Sequence, residues 1–400
     1  MCCEGEMHEP SEKTQKQFSD SYRGFEQGPI RPPSEAYSLL VRVTRNCPWN
    51  QCTFCPVYKG TKFSRRSVEH VKKDIDALYQ HVEAIRKLAD EQGRVPRSEI
   101  DRITANVDPQ KSPAFVAAFN WYFAGGLESV FIQDANSLII KPSDLVEILK
   151  HLKKRFPEIK RITSYARSQT VSRMKEEDLK AIGEAGLNRI HIGLESGSDE
   201  VLKMVKKGVT KKMHIQAGQK VKRAGIELSE YYMPGLGGRK YLKEHVMETA
   251  DALNQINADF IRMRTLAIPN HCPLYEDWQA GRFEKCSEIE VVKEILMFIE
   301  KLEGITSVVK SDHILNLFAD LEGTLPQDKE HMLNILRTFL TMDPERQRLY
   351  QIGRRIGVFS SLSHMENPYR MARARGAYDQ LAEAEKDVDN VTDELMKRFI

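Results

Sequence analysis

Three cysteines fall within nine residues, at Cys47, Cys52 and Cys55 of CPWNQCTFC. Thiols this close suit metal coordination, since thiolate is the soft ligand that zinc and iron-sulfur clusters select. The plain alternative is three thiols packed together for structure alone. Zinc closes a tetrahedron with four ligands, usually from paired CxxC or HxxxH units. Here the cluster holds a single CxxC, Cys52 and Cys55, so His191, His271 or His313 would have to complete the set. The spacing C-x4-C-x2-C also opens a plant-type ferredoxin site, which needs a fourth cysteine. The next one is far along the chain, at Cys272. Three thiolates can instead hold a 4Fe-4S cluster with one iron lacking a protein ligand, an open position of the kind catalytic metals keep.

The elements that would position this loop alternate in the order that builds parallel sheets from βαβ units. Strand candidates are Ser38 to Thr44, Ser129 to Asp134, Arg161 to Ala166, Arg189 to Glu195, Glu227 to Met233 and Phe260 to Leu266. Between them, PSDLVEILKHLKKRF reads as a helix capped by Ser143, with Leu145, Ile148, Leu149 and Leu152 on one face. Two further helices end at Gly186 and Gly225, as helices that stop and enter a strand often do. Right-handed units of this kind close into a full or partial barrel, with the site at the C-terminal ends of the strands. The cysteines follow the first strand directly and so belong at that end.

The expected fold is α/β, a partial (β/α)6 barrel with a C-terminal helical extension. Residues 1–36 form a lead-in arm, ending in the proline-rich GPIRPPSEAY. Residues 37–287 form the core barrel, with a helical insertion at about 60–125 that includes a helix from Pro113 to Phe123. Residues 288–400 form the C-terminal helical region.

Lys and Arg number 60 against 57 Asp and Glu, a net charge of +3 drawn from mixed charge rather than one basic field. Nucleic-acid binding is therefore not indicated. The 7 cysteines are too uneven for a disulfide framework. No apolar leader or membrane-length run appears, so a cytoplasmic protein with no membrane partner is expected.

Beyond the three cysteines, GLNRIHIGLESGSDEVLKMVKKG and AGIELSEYYMPGLGG carry a family likeness. With CPWNQCTFC they resemble the radical S-adenosylmethionine enzymes, in the branch of coproporphyrinogen dehydrogenase-like and Elongator- or methylthiotransferase-like proteins. The resemblance covers roughly residues 38–270. It implies a partial barrel of the radical SAM type and a 4Fe-4S cluster on Cys47, Cys52 and Cys55, with S-adenosylmethionine chelated to the fourth iron. Reductive cleavage would then give methionine and a 5'-deoxyadenosyl radical that abstracts hydrogen from a substrate. An external electron donor such as flavodoxin or ferredoxin is implied, and the substrate, small or macromolecular, stays open. One departure is the four residues between the first two cysteines, where three are commonest. A non-catalytic iron-sulfur or haem-binding protein on the same barrel is the alternative.

The resemblance also implies cofactor contacts. Phe54 stands where the family has an aromatic near the adenine. Gln133 and Asp134 stand where the branch often has a glycine-rich turn that meets the methionine amino group, and an acidic or amide acceptor can bind an ammonium. Ser164 and Arg167 flank the end of the third strand, where a guanidinium can hold a carboxylate in bidentate fashion. Glu195 and Ser196 stand at the methionine or ribose contacts, while Ser198 can cap the next helix.

Arg262 and Arg264 alternate on the sixth strand and share a face. If that face is the barrel interior, they imply fixed carboxylates or an anionic partner. Of Tyr231 and Tyr232, one should point inward. Cys272 and Cys286 read as isolated thiols, Cys2 and Cys3 as part of a polar terminus, and Asp312 and His313 as a pocket or structural pair.

Overall fold

The computed structural model describes residues 21–399 apart from 106, 111, 385 and 386. Most of the arm, with Cys2 and Cys3, lies outside the described residues. An eight-stranded sheet organises the molecule. Its strands are β1 (Leu39–Arg42), β4 (Ser129–Gln133), β5 (Arg161–Ala166), β6 (Arg189–Glu195), β7 (Glu227–Tyr232), β8 (Phe260–Met263), β9 (Val308–Lys310) and β10 (Gly323–Thr324), adjacent in that order. All pairings are parallel except β9 with β10. The expected strands are all present, and the sheet continues past residue 288 by two short ones.

The parallel strands need crossovers, and amphipathic helices supply them. They include α4 (Pro142–Arg155), α6 (Glu176–Glu184), α8 (Lys211–Arg223), α9 (Gly238–Ile256) and α11 (Glu288–Lys301). In α4 the buried residues are Leu145, Ile148, Leu149 and Leu152, the expected face. Its cap differs from the expected one: Lys141 takes the N-cap position, Pro142 fills the first turn, and no side chain caps the end. Proline at that position needs no N–H partner, so Ser143 is not required as a cap. Gly186 and Gly225 do end helices, at φ +116 and +71, where a side chain would be strained.

The outward row Ile192, Glu230, Ile261 and Val309 is in register across β6 to β9 and faces the helices. Glu230 is the one polar member of that row. Its carboxylate is fully buried, and neither oxygen has a hydrogen-bond partner among the described residues.

The long connection from β1 to β4 holds the hairpin of β2 (Thr44–Arg45) and β3 (Ser64–Arg65), then α1 (Val68–Arg86), α2 (Arg97–Thr104) and α3 (Pro113–Phe123). After β9 the chain forms α12 (Lys329–Leu340), α13 (Pro344–Arg355), α14 (Pro368–Glu383) and α15 (Val388–Met396). No described helix is long and apolar enough to cross a membrane.

Candidate active site

The cysteine loop leaves β2 and is pinned from both sides. Asp134, fully buried just beyond β4, accepts from Arg42 Nη2 at 2.7 Å, from the Asn46 backbone N–H at 3.0 Å and from the Tyr58 hydroxyl. Asn46 precedes Cys47 and Tyr58 follows Cys55, so one carboxylate ties the two ends of the loop to the barrel. Inside the loop, the Asn50 N–H donates to Cys47 Sγ at 3.4 Å. Such hydrogen bonds to sulfur tune iron-sulfur sites.

Of the four residues between Cys47 and Cys52, Pro48, Trp49 and Asn50 are half-buried and Gln51 is exposed. Asn46 and Asn50 sit at φ +68 and +48, and Trp49 leaves the loop to donate to the Lys206 carbonyl at 2.7 Å. Its indole lies so close over Gly208 that a Cβ there would be 2.3 Å from the ring. The Thr53 N–H donates to the Val205 carbonyl at 3.0 Å. The turn after α7 (Asp199–Met204) is thus the second anchor of the cysteines.

Charge gathers at the same place. Lys207 Nζ pairs with Glu195 Oε1 at 3.1 Å and lies 5.6 Å above the Phe54 ring. Arg167 donates to the Lys207 carbonyl at 2.7 Å and stacks on Trp49 at 5.0 Å. Burial pushes the Cys52 and Cys55 thiols up, while Lys207 and Arg167 beside Cys52, and Arg264 and Lys207 beside Cys55, pull them back down. Glu195 holds its inward position at φ +63, above Gly193.

The resemblance's site residues separate into two groups. Phe54, Arg167 and Glu195 gather with the cysteines. Phe54 is buried in a small apolar cluster with Met233, Leu266, Cys272 and Leu274. Ser164 sits below them and donates to the Ile132 and Tyr165 carbonyls, both at 3.2 Å. Asp134 has its acceptors filled from within the protein. Gln133 turns to the arm, accepting from the Gly28 N–H at 2.8 Å and donating to the Ile30 carbonyl at 2.7 Å. Ser196 pairs with His245 Nδ1 at 2.8 Å on the helix side, and Ser198 caps α7 as expected.

The interior column is clear. Tyr231 points inward beside His191, and Tyr232 points outward to stack on Phe298 at 4.1 Å. Arg262 is buried and paired with Asp312. Arg264 lines a small cavity of about 30 Å³ with Phe54, Cys55, Met233, Leu266 and Leu315. Sequence reasoning missed Lys207 and Trp49. The signals for them were the doubled lysine before glycine in MVKKG and the only tryptophan within the cysteine loop.

The donor set suits an iron-sulfur cluster: three thiols on one pinned loop, a backbone N–H aimed at one sulfur, and cations opposing their charge. Among the described residues no three His, Cys, Asp or Glu side chains converge as they would on a single metal ion.

Residues 113–253 match the family described as the Radical SAM superfamily. The matched stretch runs from α3 into α9 and begins after the cysteine loop. The chain is 22% identical over 292 residues to the tRNA uridine(34) acetyltransferase of Methanocaldococcus jannaschii, covering 68% of this chain and 50% of that protein. It is also 22% identical over 232 residues to an uncharacterized methyltransferase of Pyrococcus horikoshii, covering 58% and 39%. The chain thus spans about half or less of the curated relatives it matches. Among solved structures, coproporphyrinogen III oxidase from Escherichia coli aligns at TM-score 0.44 with 14% identity, covering 66% of this chain and 52% of that one. The Elp3 of Methanocaldococcus infernus aligns at TM-score 0.39 with 18% identity, covering 53% and 55%. On its mostly parallel sheet, the segment from α3 to α9 makes this chain similar to the radical SAM superfamily, whose members use a 4Fe-4S cluster and S-adenosylmethionine.

Proposed function

We propose that Cys47, Cys52 and Cys55 hold the cluster and that the enzyme begins its reaction by taking a hydrogen atom from its substrate. When bound, the cluster and S-adenosylmethionine supply a 5'-deoxyadenosyl radical, with an external electron donor such as flavodoxin or ferredoxin as reductant. The observation that carries this reading is the convergence of the cysteine loop, Phe54, Arg167 and the Glu195–Lys207 pair at the C-terminal edge of the sheet.

The chain's own residues do the positioning. Asp134 and the 205–208 turn fix the loop, and Arg167 and Lys207 offset thiolate charge. Glu195 offers a carboxylate at the same rim. Phe54 excludes water from the thiols and gives a flat apolar surface to an adenine. Acetyl transfer to tRNA, named for the archaeal relatives, is not carried over, because only about half of their length is matched.

Anaerobic reconstitution followed by reductant and S-adenosylmethionine tests the proposal. Expected are about four irons per chain and release of 5'-deoxyadenosine, both lost in Cys52→Ala. A reconstituted protein whose cluster spectrum ignores S-adenosylmethionine, and which never cleaves it, would refute the assignment.

A further inference from the structure

The chain carries a net charge of only +3, yet two of its segments are wholly basic. Residues 46–66 contain Lys59, Lys62, Arg65 and Arg66 and no Asp or Glu, and residues 203–212 contain five lysines and no Asp or Glu. Folding fastens both to the cysteine loop. Lys59 Nζ donates to the Asn50 carbonyl at 2.9 Å, and the side-chain amides of Asn46 and Asn50 donate to the Lys62 and Tyr58 carbonyls, both at 2.6 Å. From the other segment, the Lys206 and Val205 carbonyls accept from Trp49 and Thr53.

Some of these cations are neutralised inside the protein: Arg66 by Glu26 and Asp74, Lys207 by Glu195, Lys211 by Glu248 and Asp251. Arg65, Lys203, Lys206 and Lys212 are exposed, and among the described residues none of the four meets a carboxylate. The carboxylates at the border leave them unmatched. Glu26 is held by Arg42, Arg45 and Arg66, Asp199 accepts from the Lys211 N–H at 2.7 Å, and Glu200 is open to solvent.

Exposed charges of one sign gathered on one face steer in a partner of the opposite sign, with a strength that salt screens. All three cysteines of the loop are only half-buried, so a partner seated on this collar covers the thiols themselves. Nucleic acid would use open aromatic rings for stacking as well as cations. Trp49, the indole at the centre, is instead pressed onto Gly208 and Arg167. Spread lysines without a closed pocket suit the small, polar and transient contact of an electron-transfer protein.

We propose that this collar is the docking surface for an acidic one-electron carrier protein, with Arg65, Lys203 and Lys212 steering its carboxylates onto the cysteine loop. The reduced carrier loses one electron, the cluster held by the cysteines gains it, and no atom changes hands. This names the partner surface of the site proposed above and rests on that proposal.

Calorimetric titration of the reconstituted enzyme with an acidic flavodoxin and with an acidic ferredoxin, beside release of 5'-deoxyadenosine driven by dithionite, tests the assignment. At least one carrier binds at low salt, and about 1 M salt abolishes the binding. The triple variant Arg65→Glu, Lys203→Glu, Lys212→Glu weakens that carrier by about tenfold or more. It keeps its iron and its dithionite-driven turnover, because dithionite needs no docking surface. A charge-matched variant at exposed arginines of α13 and α14, Arg346→Glu, Arg348→Glu, Arg373→Glu, changes carrier affinity less than about twofold. If the collar variant loses iron, Lys203→Gln with Lys212→Gln removes charge without reversing it and gives the same comparison. Equal losses in the collar and control variants, no carrier binding by the parent, or binding of bulk tRNA through the collar in place of either carrier overturns the proposal. A parent enzyme that fails to cleave S-adenosylmethionine even with dithionite would instead defeat the function proposed above, so the two failures are read separately.

Discussion

Lys207 Nζ lies 3.1 Å from Glu195 Oε1, with both side chains close to nine-tenths buried at the rim that carries the cysteines. Breaking a buried pair by removing one partner leaves the other charge uncompensated. Lys207→Met should therefore cost about 3 kcal/mol of stability in urea unfolding. Adding Glu195→Gln removes the stranded charge, so the double variant should be more stable than Lys207→Met alone. A double variant that is simply the sum of two losses would mean the pair is not coupled.

Asp134 anchors the cysteine loop through three donors from separate segments. Asp134→Ala leaves Arg42 and Tyr58 without their shared acceptor and frees both ends of the loop. Expected are a stability loss of about 3 kcal/mol and a severalfold fall in iron retained after reconstitution. Limited proteolysis should then cut between residues 46 and 58, where the parent protein resists.

Glu230 predicts a gain. Its carboxyl is held well above the usual carboxylate range, first by burial and then by the charge of Glu195. The folded chain keeps this proton while the unfolded chain releases it above about pH 4.5, so the group subtracts stability increasingly as pH rises. Glu230→Leu should stabilise the protein by about 1–2 kcal/mol at pH 7. Its advantage should shrink toward pH 4. Thermal melts across that range read both effects.

Glu294 on α11 has a pH signature of its own. Burial raises its carboxyl to about 7, although the Tyr232 hydroxyl at 2.6 Å and the Gly235 N–H at 3.0 Å pull it down. A raised folded value means full stabilisation below the unfolded pKa near 4.5 and loss as pH climbs through 7. His245, with its Nε2 3.5 Å away, is lowered to about 4 by burial and drives stability the opposite way. The clean readout is therefore a difference. Between pH 7 and 4.5 the parent should gain on the order of 3 kcal/mol relative to Glu294→Gln, measured by chemical denaturation at each pH.

How much of this was legible beforehand depended on how local each signal was. The six longer parallel strands announce themselves through short apolar runs ended by turns, and the structure keeps each within a few residues of its expected span. β9 and β10 have only three and two residues, too few for alternation to register. The glycine ends of α6 and α8 were readable because a positive φ is a one-residue requirement. Partners set by folding were not. Asp134 draws its donors from residues 42, 46 and 58, and Gln133 meets an arm more than a hundred positions away. Lys207 gains meaning only when the turn after α7 comes to rest against a loop 150 positions earlier. Arg262 and Arg264 were grouped by alternation, yet only the folded chain tells the one paired with Asp312 from the one set beside Cys55.

The hairpin partner β10 has a consequence for how the molecule behaves in a crowded solution. A parallel sheet that stopped at β9 would present an open row of N–H and C=O groups to any passing extended segment. Two residues running the other way occupy that row: Gly323 lies opposite Val309 and Thr324 opposite Val308. Asp328 then accepts from the Thr324 N–H at 2.8 Å, turning the chain into α12 rather than along the edge. The edge of the sheet thereby shrinks to two residues, and the Thr324 N–H on it is already taken by Asp328.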